Sequence, residues 1–184
     1  MLHTFAVYVD NKPGVLNRVA SLFRRRAFNI ESLTVGHTEQ AGISRMTVVV
    51  DTDEYGARRL EANLYKLVPV RRVENITAKP TIARDLALIK VAAAGDARAQ
   101  VMQLVDVYRA RVVDVSPDSL VIETTGTEDK IDSLVEVLRP YGVMEMVRTG
   151  RVSMARGSAG AAARPAEPQA PPPTATENLG DYSV

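Results

Sequence analysis

Apolar positions along this chain follow two alternating periods. Leu2–Val9 is short and rich in β-formers (Phe5, Val7, Tyr8, Val9), which predicts a strand. Asp10–Gly14 breaks it. Beyond the break, Val15, Leu16, Val19, Leu22 and Phe23 fall on one face of a helix. That helix ends in Arg24-Arg25-Arg26, placing positive charge at its partly negative C-terminal end. Ile30–Thr38 and Ile43–Asp51 predict two strands joined across Glu39–Gly42 as a hairpin. A second helix is expected from about Glu54 to Leu67, with Leu60, Leu64, Leu67 and Val68 on its apolar side, and Val70–Thr77 closes the unit as a strand. Lys79-Pro80-Thr81 then interrupts the pattern as a linker.

The same order of elements returns 82 residues later, where Ala87–Val91 lies under Phe5–Val9. Asp96 is placed to cap a helix whose stripe is Val101, Leu104, Val105 and Tyr108. Val112–Val115 and Leu120–Thr125 predict strands about a Ser116-Pro117-Asp118 turn. Ile131, Leu134, Val135 and Leu138 mark the fourth helix face, and Val143–Met154 the last strand. An internal duplication sets the architecture. It predicts an α+β chain of two tandem ferredoxin-like βαββαβ sandwiches, at residues 1–78 and 84–155, linked by 79–83. From 156 to 184 Ala, Pro, Gly and Ser dominate, a composition that predicts a disordered tail.

Composition removes several functional classes. The chain has 184 residues, 46% hydrophobic and 24% charged, with a net charge of +1 that makes no electrostatic case for nucleic acid or an anionic membrane. It has no cysteine, so thiolate metal sites and cysteine nucleophiles are excluded. Two histidines, His3 and His37, are too few for a histidine-built metal site, and no apolar run is long enough for a membrane helix. With no room for a targeting peptide before Leu2, a cytoplasmic location is expected.

The two copies differ most at the first turn, Asp10-Asn11-Lys12-Pro13-Gly14 against Ala93-Ala94-Gly95-Asp96. Structurally, the first reads as a helix start, with Asn11 as cap and Pro13 in the first turn. The same atoms also suit a ligand. The amides of Gly14, Val15 and Leu16 favour a carboxylate, the Asn11 side-chain oxygen suits an ammonium group, and Leu16 and Ile30 offer an apolar wall. A small apolar amino acid fits that set. Asn29–Val35 is the second candidate, although in isolation Asn29 reads first as the left-handed residue that ends the helix. The two segments flank a helix of ~12 residues, about 18 Å at 1.5 Å each. One chain cannot easily close both around a small ligand, whereas a symmetric dimer can.

Asn11–Leu16, Phe28-Asn29-Ile30-Glu31-Ser32-Leu33-Thr34-Val35 and Ile43-Ser44-Arg45-Met46-Thr47 resemble the ACT domain of the acetohydroxyacid synthase (acetolactate synthase) small subunit. The resemblance implies a non-catalytic regulatory subunit. Such a subunit activates a thiamine-diphosphate-dependent large subunit and confers feedback inhibition by valine, sometimes leucine or isoleucine, in branched-chain amino-acid synthesis. It places the effector between two ACT domains of a homodimer, on Asn11, Gly14, Val15 and Leu16 of one chain and Asn29 and Ile30 of the other. Thiamine diphosphate, Mg²⁺ and FAD are implied for the large subunit and none for this chain.

Two other classes share features with this pattern. RNA-recognition domains have the same element order but stack bases on aromatics of their central strands, and Met46–Val50 holds none. A small ferredoxin-like isomerase or lyase needs a positioned acid/base or nucleophile set, and no His/carboxylate or Ser/His grouping qualifies. Arg24–Arg26 reads as a solvated helix end or a contact for an acidic partner. Arg45 reads either as exposed or as reaching across its sheet. His37 reads as a surface residue, and Thr127 as a helix cap rather than part of a phosphate loop.

Overall fold

The computed structural model describes residues 1–157, so the expected tail lies outside the described residues from position 158 onward. The first unit contains β1 (Leu2–Asp10), α1 (Val15–Arg25), β2 (Ile30–His37), β3 (Ile43–Asp51), α2 (Glu54–Leu64) and β4 (Val70–Asn75). The second contains β5 (Thr81–Ala92), α3 (Ala97–Val107), β6 (Arg111–Val115), β7 (Ser119–Gly126), α4 (Glu128–Leu138), β8 (Val143–Arg148) and β9 (Val152–Ala155). Each unit is an antiparallel sheet with two helices on one face, in strand order β2-β3-β1-β4 and β6-β7-β5-β8. This is the tandem ferredoxin-like architecture expected from the repeat.

Alternation along the central strands builds both cores. Phe5, Val7 and Val9 of β1 meet Val19, Leu22 and Phe23 of α1 and Leu60 and Leu64 of α2. Ala87, Ile89 and Val91 of β5 meet Val101, Ile131, Leu134 and Leu138 in the same way. The duplication reaches the backbone. Ala27 (φ +54) and Arg109 (φ +51), 82 positions apart, both turn left-handed after the first helix of their unit. The amides just beyond them bond back, Phe28 N–H to the Phe23 carbonyl and Ala110 N–H to the Val105 carbonyl.

Several boundaries differ from expectation. α2 stops at Leu64 rather than Leu67, because Tyr65 turns its hydroxyl to the backbone of Val73 and Leu67 reaches the core from a turn. Residues 81–83 of the expected linker are strand, the start of β5. Thr81–Arg84 pair with β9, and Asp85–Ala92 pair with β7, a division of one long strand between two ladders. The expected last strand is two strands, β8 and β9, parted at Thr149-Gly150-Arg151. No side-chain cap bond forms at Asp96 or Thr127, although each occupies the N-cap position.

Candidate functional site

The Asp10–Gly14 turn is anchored to both sides of its sheet. Asp10 N–H donates to the Pro69 carbonyl and Asn11 N–H to the Gly42 carbonyl, each at 2.8 Å. The Asp10 carboxylate accepts from Arg71 Nε at 2.5 Å and Nη2 at 3.1 Å, and Lys12 Nζ lies 3.6 Å away. The bond from Arg71 chiefly holds the Asp10 carboxyl below its ordinary pKa, outweighing burial, with the charges of Arg71 and Lys12 adding to it.

Gly14, not Asn11, is the residue that starts α1. It adopts φ +80, a conformation that favours glycine, and a Cβ placed there would meet nothing within 4 Å. Above this backbone is open space. Val15 N–H reaches the Lys12 carbonyl only at 3.4 Å, and the amides of Gly14 and Leu16 have no acceptor among the described residues. The first helical turn leaves such donors free and carries partial positive charge, and α1 has no acidic residue there to answer it. Leu16 is 45% exposed beside them. The Val15 side chain belongs to the core, so only its backbone is available at the surface.

Asn11 does not cap the helix. Its side-chain nitrogen lies 3.4 Å from Nδ1 of His37, at the far end of β2. His37 thus joins the turn, a proximity that local sequence could not supply because it depends on β2 and β3 folding back. Asn29 and Ile30 lie elsewhere. β2 runs antiparallel to β3, with Ile30 opposite Val50 and His37 opposite Ser44, while Asp10 pairs with Ile43. Ile30 therefore sits some seven residues from the turn along the strand direction, about 23 Å at ~3.3 Å per residue. Asn29 is exposed and donates to Glu31 Oε1 at 2.5 Å. It is not the left-handed residue after α1; Ala27 is. The described chain brings Asn11, Gly14, Val15 and Leu16 together and leaves Asn29 and Ile30 at the opposite end of an edge strand.

The second copy repeats the turn but closes it. Gly95 is also left-handed (φ +58). Arg98 then donates to the carbonyls of Ala93, Ser116 and Pro117 at 2.5–3.1 Å, tying the turn to the β6–β7 hairpin. Leu16 stands 82 residues before Arg98 and makes no such tie. One turn of the pair is therefore open.

Comparisons with known proteins agree across nearly the whole described chain. Residues 5–72 match the model described as an AHAS small subunit-like ACT domain, and residues 84–157 the model for the small subunit of acetolactate synthase. The chain is 48% identical over 158 residues to the acetolactate synthase small subunit of Mycolicibacterium smegmatis, covering 86% of this chain and 93% of that one. It is 45% identical over 159 residues to the Bacillus subtilis small subunit, covering 86% and 92%. The crystal structure of the small subunit from Thermotoga maritima superimposes with a TM-score of 0.81 at 38% identity, over 85% of this chain and 98% of that one. The chain belongs to the family of acetolactate synthase small subunits and carries an ACT domain at its N-terminus.

Proposed function

We propose that this chain is the regulatory subunit of an acetolactate synthase, without catalytic activity of its own. It raises the activity of the catalytic large subunit and confers feedback inhibition by valine, with leucine and isoleucine as the alternative effectors. Thiamine diphosphate, Mg²⁺ and FAD are carried by that partner, and both work in the cytoplasm on branched-chain amino-acid synthesis.

One observation supports the effector reading: the turn at Asn11–Leu16 is open, while Asn29 and Ile30 lie at the other end of an edge strand, where only a second copy could bring them to a turn. Among the described residues, β2 has β3 on one side and no strand on the other. Antiparallel pairing of β2 with β2 of a second copy would bring the Asn29–Ile30 end of one chain to the His37 end of the other. There the free amides of Gly14 and Leu16 take the effector carboxylate, the Asn11 or Asn29 oxygen takes its ammonium, and Leu16 and Ile30 cover its side chain.

The test is an assay of the catalytic subunit with and without this chain, titrated with valine, leucine and isoleucine. The expected result is activation without effector and inhibition by valine, at a Kd of about 0.1–1 mM or roughly −5 kcal/mol. No heat of binding at millimolar valine, together with no effect on the partner, would sink the reading. Acetolactate formed by this chain alone would overturn its non-catalytic part.

A further inference from the structure

The Asn29–Val35 segment has a second set of contacts that its effector role does not use. Ser32 and Thr34 stand two residues apart on β2 and so share one side of the strand. Both grip the backbone of the second unit at one residue: Ser32 Oγ accepts from Arg151 N–H at 2.8 Å, and Thr34 Oγ1 donates to the Arg151 carbonyl at 3.2 Å. On the neighbouring strand, Arg45 donates to Thr47 Oγ1 at 3.0 Å and to the Ser153 carbonyl. Arg45 also lies over the Tyr8 ring of β1, 5.7 Å from its centroid, so it reaches across its sheet and out to the second unit.

The fit leaves no space at Gly150. A Cβ there would lie 2.6 Å from Ser32 Oγ, 2.8 Å from Thr34 Oγ1 and 2.9 Å from the Leu33 carbonyl. The contact continues into the second unit, where the Arg151 side chain donates to Glu128 Oε2 at 2.7 Å, at the first residue of α4. At its other end it adjoins the candidate effector residues. The β2–β3 register shifts between Ile30 and Ser32, so a bulge separates the Asn29–Ile30 end from the gripping pair. Bulges re-aim side chains and bend the strand that carries them. Ile30, on one side of the bulge, packs against the first core, while Ser32, on the other, holds the second unit.

We propose that the Gly150-Arg151 turn, held by Ser32, Thr34 and Arg45, is the coupling contact through which effector occupancy at the Asn29–Ile30 end of β2 reaches the second unit. A change of bend at the bulge moves Ser32 and Thr34 together, and the tight seat of Gly150 transmits that movement to Arg151 and α4. The inference rests on the effector reading above and adds to it the route by which binding is communicated.

The experiment uses the full chain with its catalytic subunit and compares wild type with Gly150→Ala and with the double variant Ser32→Ala/Thr34→Val. The first wedges the contact apart; the second removes its hydrogen bonds without adding bulk. Valine binding to the regulatory chain is read by calorimetry, and inhibition is read on the holoenzyme at saturating valine. The coupling role predicts valine affinity near that of wild type in both variants, while the valine effect on the partner falls by about fivefold or more. Should Gly150→Ala fail to fold, the double variant decides alone. Inhibition equal to wild type in a variant that folds overturns the proposal, and so does loss of valine binding in step with inhibition. If wild-type chain itself binds no valine, the effector reading falls and the coupling role with it.

Discussion

Arg71 holds both carboxylate oxygens of Asp10, through Nε on one and Nη2 on the other, although 61 residues separate them. The pair pins the base of the open turn to β4. Because this partner lowers the Asp10 pKa in the folded chain, its contribution is present above the carboxyl's ordinary value of 3.8 and is lost as pH falls through the lowered folded value. Asp10→Asn should therefore lower the denaturation midpoint at pH 6. The gap from wild type should close as pH drops below 3.8. Urea melts at several pH values check this, and a gap independent of pH would show that the ion pair is not responsible.

Gly14→Ala should separate strain from function. Its φ of +80 imposes about 1 kcal/mol on any residue with a Cβ. The new methyl meets no protein atom within 4 Å, so the structure has room for it. A bound carboxylate does not, and valine affinity should drop by about tenfold or more, equivalent to ~1.4 kcal/mol. Calorimetry together with a thermal melt distinguishes the two effects.

Asn29→Ala should leave the fold intact, since its side chain is exposed and its bond is to Glu31, two residues on. It should nevertheless abolish valine binding. Mixing Asn29→Ala chains with Gly14→Ala chains provides a sharper measurement. In a randomly assorted symmetric dimer with shared sites, about a quarter of the sites would be intact again. No recovery on mixing would mean that each chain supplies a whole site.

Thr124 is buried in β7, 2% exposed, and its Oγ1 has no hydrogen-bond partner among the described residues. A hydroxyl in that position gives up water without replacement. Thr124→Val keeps the shape and removes the unmet group, so it should stabilise the second unit by about 1 kcal/mol. A denaturant melt that moves the other way would point to a partner such as a buried water.

Arg148 of β8 ties the second sheet to α4, donating to Asp85 at 2.9 and 3.1 Å and to Asp132 at 2.7 Å. Burial works to lower its pKa, and the bonds to Asp85 and Asp132 outweigh it, leaving the pKa raised. Asp85 is only 7% exposed, so Arg148→Met would strand its carboxyl group. The expected loss is about 3 kcal/mol. Adding Asp85→Leu to the same chain should recover much of it, as a double-mutant cycle would measure.

Much of this architecture was legible because its signals are local and periodic. Val15, Val19, Leu22 and Phe23 mark a helix face wherever the chain goes, and Phe5, Val7 and Val9 mark the buried side of a strand. The 82-residue repeat exposed the tandem plan, and Gly14 stood out as the turn that the second copy lacks in the same form. Legibility failed where a boundary depends on distant chain. Thr81–Ala83 resemble a linker until β9 pairs with them, and α2 ends early because Tyr65 is claimed by Val73. Asn29 was a plausible left-handed cap on composition alone, yet Ala27 takes that conformation in company with Arg109 in the other copy.

Residue order alone therefore determined which groups this protein has and which of them share a face: an apolar core on every second strand position, a basic helix end, and free amides at a Pro-Gly helix start. Only the tertiary structure decided which groups meet. His37 comes to Asn11 across 26 residues, Arg71 to Asp10 across 61, and Arg151 to Ser32 across 119. The reason is physical: side-chain periodicity is set by local backbone geometry, whereas proximity across a sheet is set by strand order and register. A shift of one residue in register exchanges the faces of every side chain on the strand.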